Sequence, residues 1–299
     1  MAYFLLFASV LVDTLKNIFI NHFGQDYTEK AQDAYLFNAV GGIGALAFLL
    51  CSGADFSISA YSFVLAIIFA FATAMTQFFL LMAMSTGSMS YSVMISYLGL
   101  IVPTIYSIAI GAQSVKYYQY IGLILMILTL YLGVGTKGNT KVTLKWILYA
   151  LGSFAALGVI GLVQFIHQNS VYKDEISGFL IWSFVIMTVL FYILYLFSKS
   201  TTKEAPKYIV KSKASWMALG TGVIIGATNK VNLWLSGALP SIVFFPIING
   251  GVIILSGIAS VILFKEKLTK AQAIGIVTGI LSICLLGMQE TNNKSHDHR

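Results

Sequence analysis

The chain has 299 residues, 58% of them apolar and only 10% charged, with a mean hydropathy of +0.85. Soluble domains carry about 25% charged residues, so a soluble globular core is excluded. The net charge of +7 does not point to nucleic acid, because every lysine except Lys16 and Lys230 lies in a loop, and the basic balance reads as a topology signal.

The apolar residues come in runs near the length that spans a hydrocarbon core of about 30 Å. Ten spans are predicted, at roughly 3–22, 34–52, 60–84, 88–111, 117–135, 144–168, 176–198, 214–235, 240–264 and 270–288. The expected fold class is therefore an all-α membrane protein with ten transmembrane helices. The linkers are short and no soluble domain is inserted. The first run has no basic leader and no small-residue cleavage site, so it is read as a retained helix. Cys51 and Cys284 stand at the ends of apolar runs without a CxxC, which indicates neither a metal site nor a disulfide framework. No cofactor is expected.

Helix one reads SVLVDTLKNIFINHF. Ser9, Asp13, Lys16, Asn17 and Asn21 recur at three- and four-residue spacing and fall on one helical face. Asp13 is the one acid placed within the hydrocarbon. It can pair with Lys16 at i,i+3, which lowers the cost of keeping both charged. The pair is read either as helix glue or as a proton-coupling site facing a substrate. Further inward polar candidates are Thr76 and Gln77 in the third span, Ser96 and Tyr97 in the fourth, Gln164 and His167 in the sixth, and Asn249 in the ninth. Each is an interhelical hydrogen-bonder by default; Asn17, Gln77, Tyr97, Gln164 and Asn249 are carried forward as substrate-facing candidates. His167 and His22 sit near helix ends and fit an interface. Pro103, Pro240 and Pro246 are placed to kink or begin the fourth and ninth helices. Tyr and Trp residues at span ends, Trp146 among them, read as interfacial belts.

The eighth span leads into ATNKVNLWLSGALPSIVFFPIINGG, from Ala227 to Gly251. A lysine at mid-bilayer costs about 2.5–3.5 kcal/mol on insertion scales. Lys230 is therefore expected to face a polar cavity, with Asn229 and Asn232 beside it, unless it snorkels to the headgroups. Gly226 and Gly222, four and eight residues earlier, form a small-residue stripe that lets a neighbouring backbone approach closely. In the tenth span Gly275 and Gly279 repeat that pattern, for a contact within the chain or with a second copy.

Ten helices divide into five plus five, and an odd number per half sets the halves in opposite orientations. The two halves share a weak pattern. TGSMSYSVMISYLG follows the third span, SGALPSIVFFPIING follows the eighth, and Val115, Gln119 and Gly122 align with Leu268, Gln272 and Gly275. The segment FKEKLTKAQAIGIVTGILSICLLG, with Glu266 and Gly275 in place, resembles the close of an EamA-type domain. Over essentially the whole chain the pattern is similar to the drug/metabolite transporter superfamily. The resemblance implies two inverted five-helix repeats, at 1–137 and 141–290, with a polar tail at 291–299. It further implies a secondary transporter in the cytoplasmic membrane. The first half lacks the acidic residue of the motif. Asp13 also resembles, by position alone, the acid midway along the first helix of small multidrug resistance proteins, and Lys16 beside it is a departure.

Two lysines and one acid leave a surplus positive charge in the expected site. The expected substrate is therefore a small polar metabolite bearing a carboxylate or phosphate, anchored by Lys230. A coupling proton on Asp13 and Lys16 and a homodimer are the other partners considered. The alternatives are a multidrug or cation exporter of the same superfamily, a membrane-embedded enzyme, and a non-transporting receptor. No HExxH, His cluster or paired carboxylate favours the enzyme. Twelve lysines flank one set of loops, and four basic residues lie on the other side. The charge rule thus places both termini outside, whereas the resemblance implies both inside.

Overall fold

The structure is a computed structural model that describes residues 1–112, 116–134, 143–202, 212–265 and 270–287. Among these residues the secondary structure is helical throughout. The helices are α1 (Ala2–Tyr27), α2 (Ala31–Cys51), α3 (Ala60–Thr86), α4 (Met89–Tyr97), α5 (Ile101–Ala109) and α6 (Tyr117–Val134). They continue as α7 (Leu144–Gln168), α8 (Ile176–Thr202), α9 (Ser212–Ala238), α10 (Ser241–Phe264) and α11 (Lys270–Gly287). Among the described residues, seven stretches are long and apolar enough to cross a membrane: α1, α2, α3, α4 with α5, α7, α8 and α10. That is the pattern of a multi-pass membrane protein.

The stretch expected as one helix at 88–111 is broken. A 3-10 turn over Leu98–Leu100 separates α4 from α5. Pro103 supplies the reason: it has no N–H for the carbonyl four residues back, and that residue is Gly99. Gly99 also lies against the α7 backbone, where a side chain would collide with the Phe154 carbonyl. Pro240 caps α10 and Pro246 lies inside it, as the positions predict.

The α1 helix buries its polar face. Phe4, Phe7, Leu11 and Leu15 point outward, whereas Ser9, Asp13, Lys16, Asn17 and Asn21 are buried. A helix in lipid has an apolar solvent, so its polar groups turn toward protein. The Gly222 and Gly226 stripe packs as expected. A Cβ on Gly222 would strike the Gly41 backbone, and one on Gly226 would lie 2.8 Å from the Ala45 carbonyl oxygen. With no side chains in between, α9 and α2 meet backbone to backbone. Gly275 and Gly279 are buried in α11, which packs on α6. There Ser282 Oγ donates to the Gly122 carbonyl at 2.7 Å, so the seam is filled from within the chain.

Other packing joins α1 to α9 and α10, α2 to α8, and α3 to α7 and α8. Trp146 departs from the interfacial belt. It is buried, its Nε1 donates to Ser92 Oγ at 3.1 Å, and its ring covers Gly87. Val115, Glu266, Leu268, the lysines Lys137, Lys141, Lys203, Lys207, Lys211, Lys267 and Lys294, and the tail lie outside the described residues.

Candidate functional site

The polar face of α1 meets α9 and α4 in one connected network. Lys16 Nζ donates to Asp13 Oδ1 at 2.7 Å and to the Tyr97 hydroxyl at 3.2 Å. Asn232 Nδ2 donates to the other carboxylate oxygen at 3.3 Å, and Ser9 Oγ donates to Asn232 Oδ1. Each charged group thus has an ionic partner and a neutral one. Asp13 and Lys16 are only 4% and 9% exposed. A pair that deep holds together only with such extra hydrogen bonds, because both ions have been stripped of water.

This network forms one wall of a cavity. Gln77 comes from α3, Tyr97 from α4, Gln164 from α7, and Asn229 and Asn232 from α9. Phe244, Phe245 and Ile248 of α10 supply an apolar wall. The free space is about 60 Å³, room for a few water molecules. Asp13, Lys16, Thr73, Thr76 and Leu157 come from the middle turns of α1, α3 and α7, whereas Phe244, Phe245 and Ile248 come from the first turns of α10. Tyr97 sits at the break between α4 and α5, so the interruption caused by Pro103 lies at the cavity's edge.

The hydroxyls of Thr73 and Thr76 line the cavity and are buried without a hydrogen-bond partner. An unmet buried hydroxyl is unfavourable, and water or a polar ligand in the cavity would satisfy both. Thr73 and Thr228 are lining residues that the sequence reading passed over. Each carried a readable signal, since Thr73 lies four residues before Gln77 and Thr228 four before Asn232. Phe244, Phe245 and Ile248 carried none, being indistinguishable in sequence from lipid-facing side chains.

Three expected site residues lie elsewhere. Lys230 leaves the cavity altogether. Its Nζ donates to the Ser52 carbonyl at 2.8 Å and to Ser52 Oγ at 2.9 Å, in an exposed position at the end of α2. The open carbonyls of a helix C-terminus attract a cation, and the long side chain lets a residue two turns inside α9 reach them. Asn17 is fully buried between α1 and α10, its Nδ2 facing Ser256 Oγ at 3.5 Å. Asn249 borders a separate small hollow with Tyr97 and Pro246, and its Oδ1 has no partner. Asn229 lines the cavity, but its Nδ2 turns back to the Ile225 carbonyl at 2.9 Å.

His167 is buried, not interfacial. Its Nε2 lies 3.4 Å from Ser62 Oγ and its Nδ1 3.1 Å from Gln168 Nε2. Nearby, in the loop before α8, the Glu175 carboxylate accepts the Ser59 N–H at 3.0 Å and the Ser59 hydroxyl at 2.9 Å, at the N-terminus of α3. Partial burial alone would raise the pKa of Glu175. Hydrogen bonds from Ser62 and Ser59, and the charge of His167, outweigh it and hold the carboxyl below its ordinary value. Among the described residues no three His, Cys, Asp or Glu side chains gather as a metal centre would require.

No protein-family model matches the chain, and no curated protein matches it. Twenty-eight solved chains do match in structure. One, described only as the crystal structure of a protein, superposes with a TM-score of 0.61 at 12% identity, covering 93% of this chain and 98% of its own. At that identity the likeness is one of fold alone.

Proposed function

We propose that the chain is a secondary transporter of the drug/metabolite transporter superfamily. It would move a small polar metabolite across the cytoplasmic membrane by alternating access between two inverted five-helix halves, 1–137 and 141–290. The observation that carries this reading is the cavity. Costly polar groups from α1, α3, α4, α7 and α9 converge inside the bundle on a space that no side chain fills. Interfaces between repeats near the midplane are where such carriers hold their cargo.

The packing pattern supports the inverted halves. Exchanging α1 with α7, α2 with α8, α3 with α9, α4 with α10 and α6 with α11 turns one set of contacts into another that also exists. The α1–α9 contact becomes α7–α3, α2–α9 becomes α8–α3, and α1–α10 becomes α7–α4. The pairs α2–α8, α4–α10 and α6–α11 map onto themselves, as contacts across a two-fold axis do. Gly122 and Gly275, aligned by sequence, fall on the last of these pairs.

The expected anionic cargo loses its premise, because Lys230 is outside the cavity and the surplus charge goes with it. Asn229, Asn232, Gln77, Gln164 and Tyr97 remain as the groups that orient polar atoms of the substrate. The test is flux of a radiolabelled metabolite panel into vesicles reconstituted with the purified chain. Saturable uptake abolished by Asn232→Leu and Gln77→Leu supports transport. Uptake no faster than in protein-free vesicles across the panel refutes it.

A further inference from the structure

The charges in the cavity already cancel. From α1 the lining holds Asp13 and Lys16, and from α4 it holds Tyr97. The α3, α7, α9 and α10 helices contribute Thr, Gln, Asn, Leu, Ile and Phe, none of which titrates, and Lys230 of α9 faces away toward Ser52. A carrier with a lone buried carboxylate must bind a proton or a cation before its empty site can cross, since an unpaired charge at mid-depth is so unfavourable. Here an ammonium 2.7 Å from Oδ1, on the same helix, fills that role permanently. It moves wherever Asp13 moves, because three residues along one helix stay on one face.

We propose that Lys16 takes the place of a coupling ion, making the protein a proton-independent uniporter for solutes of zero net charge, either neutral and polar or zwitterionic. This rests on the transport reading above. The empty site reorients as a closed, neutral ion pair, so its return step binds and releases no proton. A cargo with net charge would leave one charge unmatched in the middle of the membrane. A zwitterion can open the pair and re-form both halves, its anionic end meeting Lys16 and Tyr97 and its cationic end meeting Asp13. A neutral polar solute would leave the pair closed and bond to Thr73, Thr76 and the amides. In either case the cargo's own gradient drives the transport.

The test needs no cargo. Dicyclohexylcarbodiimide, an apolar reagent that modifies carboxyls in their protonated form, is applied to the full chain in proteoliposomes from pH 5.5 to 8.5. Modification of the Asp13 peptide is read by mass spectrometry. In the wild type Asp13 stays unmodified throughout, whereas Lys16→Gln raises its modification at least tenfold and Lys16→Arg does not. Wild-type modification with a half-maximum inside that range overturns the proposal, because Asp13 would then exchange protons. Absence of modification in K16Q also overturns it, because Lys16 would not be what keeps the carboxylate charged. A second readout uses pyranine trapped inside the vesicles with whichever solute the flux panel identifies. Internal pH stays constant during uptake if the proposal holds, and a change that tracks uptake overturns it. A blank flux panel counts against transport itself and leaves the carbodiimide result to stand or fall alone.

Discussion

Substituting alanine at three glycines of α9, Gly220, Gly222 and Gly226, should produce opposite effects, because Gly220 faces open space and the other two face α2. At Gly222 the added Cβ would lie 2.6 Å from the Gly41 carbonyl carbon and 2.8 Å from its Cα, and would strike its carbonyl oxygen. These are backbone atoms, so no side chain can swing aside. Helices α2 and α9 must part by on the order of 1 Å, and a gap of that size forfeits a quarter to a half of each dispersion contact along the seam. Overpacking of this kind costs about 1–3 kcal/mol, and more where backbone must shift. Alanine recovers roughly 0.8–1 kcal/mol of that as the better helix former. The expected net loss for Gly222→Ala is about 2 kcal/mol. Gly226→Ala meets the Ala45 backbone at 2.8–3.3 Å and should lose less. Nothing lies within 4 Å of a Cβ on Gly220, so Gly220→Ala should gain up to about 1 kcal/mol. Thermal unfolding in one detergent, followed by tryptophan fluorescence, ranks the three variants. Equal stability of G220A and G222A would refute the backbone seam.

Three further outcomes follow from the site. Asp13→Asn and Lys16→Met should each lose about 3 kcal/mol, because each strands a buried charge, while the double variant recovers most of it; a double variant as unstable as the sum of the singles would show that the two are not paired. Lys230→Met should cost no more than about 1 kcal/mol, since its partner site is exposed, and should leave flux at the wild-type rate; a large loss of uptake would return Lys230 to the substrate path. Glu175→Gln tests pH dependence. The native carboxyl sits below its ordinary value, so its stabilisation is present above about pH 4.3 and disappears as pH falls through the folded pKa. The wild type should therefore be modestly more stable than E175Q at pH 7, with the gap closing below pH 4; a gap that widens in acid would contradict the hydrogen bonds to Ser59 and Ser62.

Much of this was legible in the chain because lipid inverts the usual pattern and makes every polar residue in a run informative. Ser9, Asp13 and Lys16 declared their face by spacing alone, and Gly222 with Gly226 declared a close contact. Pro103 marked the fourth span for interruption, although Gly99 and the 3-10 turn beside it did not stand out. Lys230 was misjudged for a reason sequence cannot repair. Distance along its own run says nothing about which other helix ends beside it, and the answer, the carbonyl of Ser52, lies 178 positions away. Trp146 and His167 were misplaced the same way: a position near a helix end was taken for exposure, while neighbouring segments bury both. The apolar cavity wall of Phe244, Phe245 and Ile248 was hidden because lipid and a pocket ask the same of a side chain.

Because Asp13 and Lys16 are neighbours on one turn, their attraction exists as soon as that turn is helical, whatever other segments are in place. That helix can thus enter the membrane already neutralised, in place of two separate ions awaiting partners from residues 97 and 232. Tyr97 and Asn232 then complete an arrangement that was safe from the outset. Moving Lys16 to another helix would preserve the finished site and still imperil its biogenesis.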